Sequence, residues 1–383
     1  MDPTPRAANP RTLSWRERFL IACGPGILAG VTTRDWLTLL RENEFSIDFP
    51  YLPRAASITW AAVTNSVFRR YEGWRYGRAL EGLSVHPPLF VLGHWRSGTT
   101  HLHYLLGRDP RFACPNFYQS CYPHTFLSTE GSFSALQAFL LPRRRPYDDV
   151  HTDLKVPQED EFALAVSCLR SPYLAGVFPR RAGHYDQFLT FRHASPEDVR
   201  AWKAALLTLL RKLTLRHGKP LVLKSPAHTG RIKLLLEMFP GAKFVHIHRD
   251  PYTVFQSSVH TYLTGLPWGR LQRTDRFDWA DRIIRQYREL YDAFFDERPL
   301  IPAGHFHDMC FEALERDPVG EMRKLYDSLD LPDFETALPG LRRYLDSVSS
   351  YRKNAFPPLP PDQRRRVAGE WHRCFEAWGY PTS

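Results

Sequence analysis

Residues 93–100, with the sequence GHWRSGTT, lie between a short apolar run and a stretch with helical spacing. The apolar run, residues 89–92, has the length and continuous hydrophobicity of a strand that is buried on both faces. Residues 99–106 carry apolar side chains at helical intervals. In such a strand-to-helix turn, the backbone N–H groups and the first turn of the helix form a cradle for an anion. The segment therefore predicts an anion-binding loop at the end of a buried strand.

Two further runs, at residues 221–223 and 243–247, predict buried strands of the same sheet, and residues 305–311 are one more strand candidate. Helical patterns lie between and after these runs, at residues 231–239, 252–263 and 276–296. Strands that alternate with helices favour a parallel sheet with helices on both faces. Ligands of such sheets bind beyond the carboxyl ends of the strands. We therefore predict a three-layer α/β fold, with the loop at the ligand-binding edge of the sheet.

The first part of the chain has a different composition. Residues 1–86 are rich in Trp, Arg and Leu, and their pattern predicts helices. We expect them to form a helical extension packed on a core domain of residues 87–383. The apolar stretch at residues 19–31 is interrupted by a Gly-Pro-Gly triplet and is shorter than the ~20 residues that span a bilayer. These helices are expected to cover the core or to lie on a membrane surface.

Charge and cysteine usage narrow the classes of partner. The chain of 383 residues has 51 Lys and Arg against 41 Asp and Glu, a formal net charge of +10. This balance favours anionic partners such as phosphates, sulfates or an acidic membrane surface. The six cysteines lack C-x-x-C spacing, so neither a zinc site nor a disulfide framework is indicated. We expect a cytoplasmic protein without a nucleic acid partner, with peripheral membrane contact through the N-terminal region and the oligomeric state left open.

The loop departs from the P-loop pattern G-x-x-x-x-G-K-[ST] at one position. Gly93 and Gly98 match the two glycines and Thr100 matches the hydroxyl residue, but Thr99 replaces the lysine. The nearest cation is Arg96, inside the loop. Because the P-loop lysine reaches the β- and γ-phosphates of a triphosphate, a loop without it should prefer a shorter anion. A 5′-phosphate that carries one further group is such an anion.

The same loop resembles the 5′-phosphosulfate-binding loop of sulfotransferases that use 3′-phosphoadenosine 5′-phosphosulfate (PAPS). The family pattern is a strand, then Pro-(Lys/Arg)-Ser-Gly-Thr-Thr, then a helix. Five residues match it in order: Arg96, Ser97, Gly98, Thr99 and Thr100. Trp95 stands where proline is usual. His101 stands where the family often has an aromatic residue that stacks on the adenine, so the resemblance implies that it lies beside the adenine.

A second segment resembles the 3′-phosphate-binding motif of the same family. Residues 244–251, with the sequence FVHIHRDP, lead from a strand into a helix, and Ser257 follows Arg249 by eight residues. Arginine pairs bidentately with a terminal phosphate, and a serine hydroxyl can add a donor. Arg352 and Lys353 resemble the C-terminal basic loop that covers the 3′-phosphate in the family. A plain solvated basic turn is the alternative for these two residues.

Sulfuryl transfer requires a cation near the leaving oxygen and a base for the acceptor, by analogy with phosphoryl transfer. Lys224 follows the strand at residues 221–223, and the family places a catalytic lysine or its equivalent at this strand end. Glu159, in the PQEDE segment, is the preferred base, and His124 and His228 are further candidates. The alternatives are that the acidic residues of this segment only complement a helix dipole and that the two histidines are structural. No metal-ligand spacing is evident, so we expect transfer without a metal.

The resemblance extends over about residues 88–380 and is strongest to the bacterial-type branch of the family. It implies a P-loop-like fold and an enzyme that moves a sulfuryl group from PAPS to a hydroxyl or amine acceptor. A small molecule, a glycan and a lipid all remain open as the acceptor. The alternatives are a P-loop-type nucleotide-dependent kinase and a non-catalytic protein that binds polyanions or membranes.

Overall fold

The computed structural model describes residues 15–132, 154–265, 269–274, 277–349, 351 and 354–382. Its central sheet has four strands: β1 (Leu89–Leu92), β2 (Val222–Lys224), β3 (Lys243–His248) and β4 (Phe306–Cys310). All neighbouring strands are parallel, in the order β2-β1-β3-β4. The predicted parallel sheet is therefore confirmed, with each strand end shifted by one or two positions at most.

Helices surround the sheet. Before β1 lie α1 (Trp15–Cys23), α2 (Thr33–Glu42) and α3 (Leu52–Glu81). Between β1 and β2 lie α4 (Thr99–Leu106), α5 (Phe117–Cys121), α6 (Glu161–Ser167), α7 (Leu174–Val177), α8 (Ala182–Asp186) and α9 (Pro196–His217). Between β2 and β4 lie α10 (Ile232–Met238), α11 (Pro251–Gly265) and α12 (Trp279–Glu297). After β4 come α13 (Phe311–Arg316), α14 (Pro318–Ser328), α15 (Phe334–Val348), α16 (Pro361–Glu370) and α17 (His372–Trp378).

Strand β1 is buried on both faces, which explains its continuous apolar run. Phe90 and Leu92 pack into one hydrophobic cluster, together with side chains of α2, α3 and α9. Leu89 and Val91 point to the opposite face and pack into a second cluster, with α4, α14 and α15. Alternate residues of a strand point to opposite faces, so a strand covered on both sides must be apolar throughout. The result is the three-layer α/β architecture that the sequence predicts.

The N-terminal helices pack on the larger of these two layers. The carboxylate of Glu72, on α3, is buried and accepts hydrogen bonds from Lys212 Nζ (2.9 Å) and from the backbone N–H of Leu127 (2.8 Å). The side-chain amide of Asn65 donates to the carbonyl oxygens of Ala29 (2.8 Å) and Val31 (3.0 Å). These bonds fix α3 against α9 and against the turn before α2. Within the described residues, no helix is both long enough and apolar enough to cross a membrane.

Candidate active site

The loop after β1 requires glycine at two positions. Gly93 (φ 139°) and Gly98 (φ 100°) both lie in the region of positive φ that favours glycine. A Cβ atom on Gly93 would lie 2.5 Å from the carbonyl oxygen of Ile247, and one on Gly98 would clash with the Phe311 ring. The glycines therefore let the loop pass close to β3 and to the residue after β4.

The loop is held in place from several sides. The Gly93 N–H donates to Thr229 Oγ1 (2.7 Å), and the Trp95 indole N–H donates to the Tyr173 hydroxyl (2.9 Å). Ser97 Oγ donates to the carbonyl oxygen of His94 (2.7 Å). Gly98, at the N-cap of α4, offers no capping side chain. Since the first N–H groups of a helix have no partner within it, this end of α4 is suited to bind an anion.

Two arginines and a serine converge beside the loop. Arg96 Nε donates to Ser257 Oγ (2.9 Å), and Arg249 Nη1 donates to the carbonyl oxygen of Arg96 (3.3 Å). The Arg249 guanidinium lies 4.5 Å from the centre of the Phe311 ring. Burial lowers the pKa of Arg249, Glu312 partly offsets this, and the positive charge of Arg96 lowers it further. An anion between two such cations would relieve their repulsion.

A lysine–glutamate pair lies at the end of β2. Lys224 Nζ is 2.5 Å from Glu159 Oε1 and 3.3 Å from Thr100 Oγ1, and the lysine side chain is only 2% exposed. The Tyr173 hydroxyl donates to the other oxygen of Glu159. Burial and the charge of Glu159 raise the pKa of Tyr173 well above its usual value, so the phenol stays neutral. This network joins the loop, through Thr100 and Trp95, to the two charged groups.

The three acidic residues of the PQEDE segment have separate partners. Glu161 accepts from both terminal nitrogens of Arg231 (2.8 and 3.1 Å), and Asp160 lies 2.6 Å from His228 Nε2. All four of these side chains are fully buried. They anchor the segment to the turn after β2, and this leaves Glu159 beside Lys224. The sequence predicts neither the pairing of Glu159 with Lys224 nor the hydrogen bond from Tyr173, because no spacing pattern connects the three segments that carry these residues.

The two histidine candidates, His124 and His228, lie in surroundings that favour structural roles. Their proposed role as the base stays a prediction. His228 is fully buried, and its Nε2 atom lies 2.6 Å from Asp160. Its ring packs edge-on against Phe90 (5.3 Å between centroids). His124 lies 3.4 Å from the carbonyl oxygen of Val166 and 3.8 Å from Asp35, and burial lowers its pKa to about 3. Both rings are therefore tied to structural partners.

The adenine-side candidates are described in part. His101 Nδ1 lies 3.2 Å from the hydroxyl of Tyr344, whose ring centre is 5.7 Å away. Burial lowers the pKa of His101, which favours a neutral ring that can stack. Tyr344, on α15, carries no sequence signal for this role. Arg352 and Lys353 lie outside the described residues.

Comparison with known proteins decides the family. The sequence model described as the Sulfotransferase family matches residues 87–336, which is more than half of the chain. The chain belongs to the sulfotransferase family. It is an enzyme of the class that transfers sulfuryl groups, and this decides against the kinase and the non-catalytic polyanion binder.

Individual sulfotransferases agree with this assignment. Proteins named "Omega-hydroxy-beta-dihydromenaquinone-9 sulfotransferase Stf3", from Mycobacterium bovis and Mycobacterium tuberculosis, are 35% identical to this chain over 374 residues, covering 97% of it and 95% of the relatives. The crystal structure of sulfotransferase STF9 from Mycobacterium avium superposes with a TM-score of 0.71 at 19% identity, over 93% of this chain and 97% of that one. Sulfotransferase STF1 from M. tuberculosis has a TM-score of 0.65 at 18% identity, over 88% and 92%. The predicted fold is that of the family.

Buried histidines near this sulfotransferase site predict a pH-dependent stability. Burial lowers the pKa of His94 to about 4 and the pKa values of His103 and His124 to about 3. The unfolded chain, with imidazole pKa values of ~6.5, therefore takes up protons first as the pH falls. Stability is fully present above pH ~6.5 and decreases below it, by about 2 kcal/mol for each imidazole at pH ~5. Urea unfolding at these two pH values measures the loss, and equal free energies of unfolding would contradict it. A His103→Gln variant should show a smaller pH dependence.

Proposed function

We propose that this sulfotransferase takes its sulfuryl group from PAPS. The observation that carries the proposal is the convergence of Arg96, Arg249 and Ser257 beside the loop of β1. PAPS has two separate anionic groups, the 5′-phosphosulfate and the 3′-phosphate. The loop and the first turn of α4 suit the first of these, and the paired arginines with the serine hydroxyl suit the second. The absence of a P-loop lysine further disfavours a nucleoside triphosphate.

The same geometry supports roles for Lys224 and Glu159 in the transfer. Lys224 is proposed to stabilise the charge that develops on the leaving phosphate oxygen as its bond to sulfur breaks. Glu159 is proposed to accept the proton of the acceptor hydroxyl as the new sulfur–oxygen bond forms. The two roles support each other: a proton that reaches Glu159 weakens its attraction for Lys224, and the full charge of the ammonium group then acts on the leaving group.

A lipid-like alcohol is the acceptor class we propose. The relatives from M. bovis and M. tuberculosis are named for a hydroxylated menaquinone derivative, and they match this chain over nearly its whole length. The N-terminal helices, proposed here as an extension of residues 1–86 on a core domain of residues 87–383, contact the elements that carry the site. The turn at Gly26–Leu28 contacts α6, the helix that begins two residues after Glu159. We therefore propose that this extension shapes the acceptor side of the site.

Calorimetric titration tests the donor. We expect adenosine 3′,5′-bisphosphate to bind more tightly than adenosine 5′-phosphate or ATP with Mg²⁺, by about 2 kcal/mol or more, because only the bisphosphate reaches the paired arginines. Arg249→Ala should remove this preference. Arg298→Ala is a matched control and should keep the preference. Arg298 also stacks on a phenylalanine, at 4.7 Å from the Phe306 ring centre, but it lies before β4 and so at the other end of that strand from the loop. Tighter binding of ATP, or unchanged discrimination in Arg249→Ala, would contradict the proposal.

A further inference from the structure

Helix α3 has an apolar face that is largely exposed in the described part of the chain. One side of the helix is buried, at Arg54, Ala55, Ile58, Ala62, Asn65 and Glu72. The opposite side carries five exposed side chains: Trp60 (76% exposed), Val63 (49%), Val67 (63%), Tyr71 (47%) and Trp74 (79%). Their spacing of three or four residues aligns them along one face of the helix, over about 21 Å. We call these five residues the α3 stripe.

The exposed charges beside the α3 stripe are mainly positive. Arg70 and Arg75 lie on either side of it in the helical projection, and Arg78 lies beyond Trp74. The acidic residues of the helix are Glu72, which is buried against Lys212, and Glu81, its last residue. An apolar stripe with aromatic ends and arginine borders is typical of a helix that lies in the surface of an anionic membrane.

We propose that the α3 stripe is a docking surface for an anionic lipid bilayer, with α3 lying parallel to the membrane plane. The tryptophans and Tyr71 would enter the interface between headgroups and acyl chains, and the arginines would contact lipid phosphates. This charge arrangement favours lipid over a second copy of the chain, because two copies would bring their arginines together in a protein of net charge +10. The proposal rests on the proposed lipid-like acceptor, which such docking would bring to the enzyme in its own phase.

The stripe is rigidly connected to the catalytic half of the molecule. Lys212, on α9, is hydrogen-bonded to both Glu72 of α3 and the carbonyl oxygen of Pro123. Helix α9 in turn contacts α6, which begins two residues after Glu159. Exposed apolar side chains are concentrated in the N-terminal helices: of the fifteen large ones that are exposed in the described residues, eleven lie between residues 15 and 74. The proposed membrane side is therefore the side of the N-terminal helices.

Vesicle flotation with the full chain tests the surface. We expect binding to phosphatidylcholine vesicles that contain about 30% phosphatidylglycerol, with weaker binding to pure phosphatidylcholine and a decrease at high salt. The double variant Trp60→Ser with Trp74→Ser should reduce partitioning about ten-fold or more, and so should Arg70→Glu with Arg75→Glu. Leu215→Ser with Leu300→Ser, which changes exposed leucines outside the N-terminal helices, is the matched control and should bind like the unmodified chain.

Three outcomes would overturn the proposal: no binding of the unmodified chain to anionic vesicles, equal binding by the tryptophan variant, or equal binding to neutral and anionic vesicles. Light scattering addresses the second copy: a dimer that the tryptophan variant dissociates would assign the stripe to self-association instead. Flotation requires no turnover. A failure of the proposed donor would therefore appear in the calorimetry, and a failure of the proposed acceptor in the rate of sulfuryl transfer to lipid-like alcohols. The difference in vesicle binding between the unmodified chain and its variants reports on the α3 stripe.

Discussion

Replacing Lys224 by alanine is expected to lower kcat by about 10²- to 10³-fold while the affinity for adenosine 3′,5′-bisphosphate changes little. The ammonium group lies at the end of β2, beside Thr100 of the loop, where charge develops on the leaving oxygen. Its contribution is needed mainly in the transition state, so the bound product analogue should lose little from its removal. Single-turnover kinetics with saturating donor measure the first quantity, and calorimetry measures the second.

The pairing of Lys224 with Glu159 provides the controls for this prediction. Lys203→Ala removes another lysine–glutamate contact of 2.5 Å, with Glu237, on the surface and outside the site, and it should leave kcat unchanged. Lys224→Ala alone leaves the Glu159 carboxylate, 14% exposed, without its cation, which can cost stability. The double variant Lys224→Ala with Glu159→Gln removes that charge, so its folding can be compared directly. Equal losses in turnover and in donor affinity would make Lys224 a binding residue only.

The parts of the site that are local in sequence could be predicted, and the parts that depend on tertiary packing could not. The strand at Leu89–Leu92, the loop glycines and the start of α4 follow from a continuous apolar run, a turn that requires positive φ, and helical spacing. Arg249 and Ser257 are candidates through the resemblance to the 3′-phosphate-binding motif, and their role there stays a prediction. Boundaries shifted slightly: β2 includes Lys224, which the apolar pattern leaves just outside it.

The contacts of the acidic segment show why the rest could not be predicted. Glu159 and Lys224 are 65 residues apart, and Tyr173 stands in no motif, so no periodicity indicates that the three meet. His124 and His228 are reasonable base candidates by residue type alone. Only the packing reveals that His228 is buried against Asp160 and that His124 lies near Asp35. Burial and partner choice decide the role of a titratable group, and both are properties of the folded chain.

Replacing Glu159 by glutamine is expected to lower kcat by about 10²- to 10⁴-fold, the usual range for the loss of a general base. Glutamine keeps the size of the side chain and can still accept a hydrogen bond from the Tyr173 hydroxyl, but its amide cannot take up the acceptor proton. Acceptors with more acidic hydroxyl groups should therefore be affected less, because they need less help from a base. Rates for a series of acceptors of graded acidity measure this, with Glu237→Gln as the control for a glutamate that pairs with a lysine elsewhere.

Two companion variants separate the base from its supports. Tyr173→Phe removes the hydrogen bond to Glu159 but keeps the carboxylate, so its kcat should fall by about ten-fold or less. His124→Gln removes a ring that is tied to Val166 and Asp35, and it should leave kcat nearly unchanged. If His124→Gln lost turnover while Glu159→Gln kept it, the acceptor proton would go to the histidine. The Lys224–Glu159 pair would then serve only to position the lysine, because a carboxylate that takes no proton can still fix the ammonium group beside Thr100.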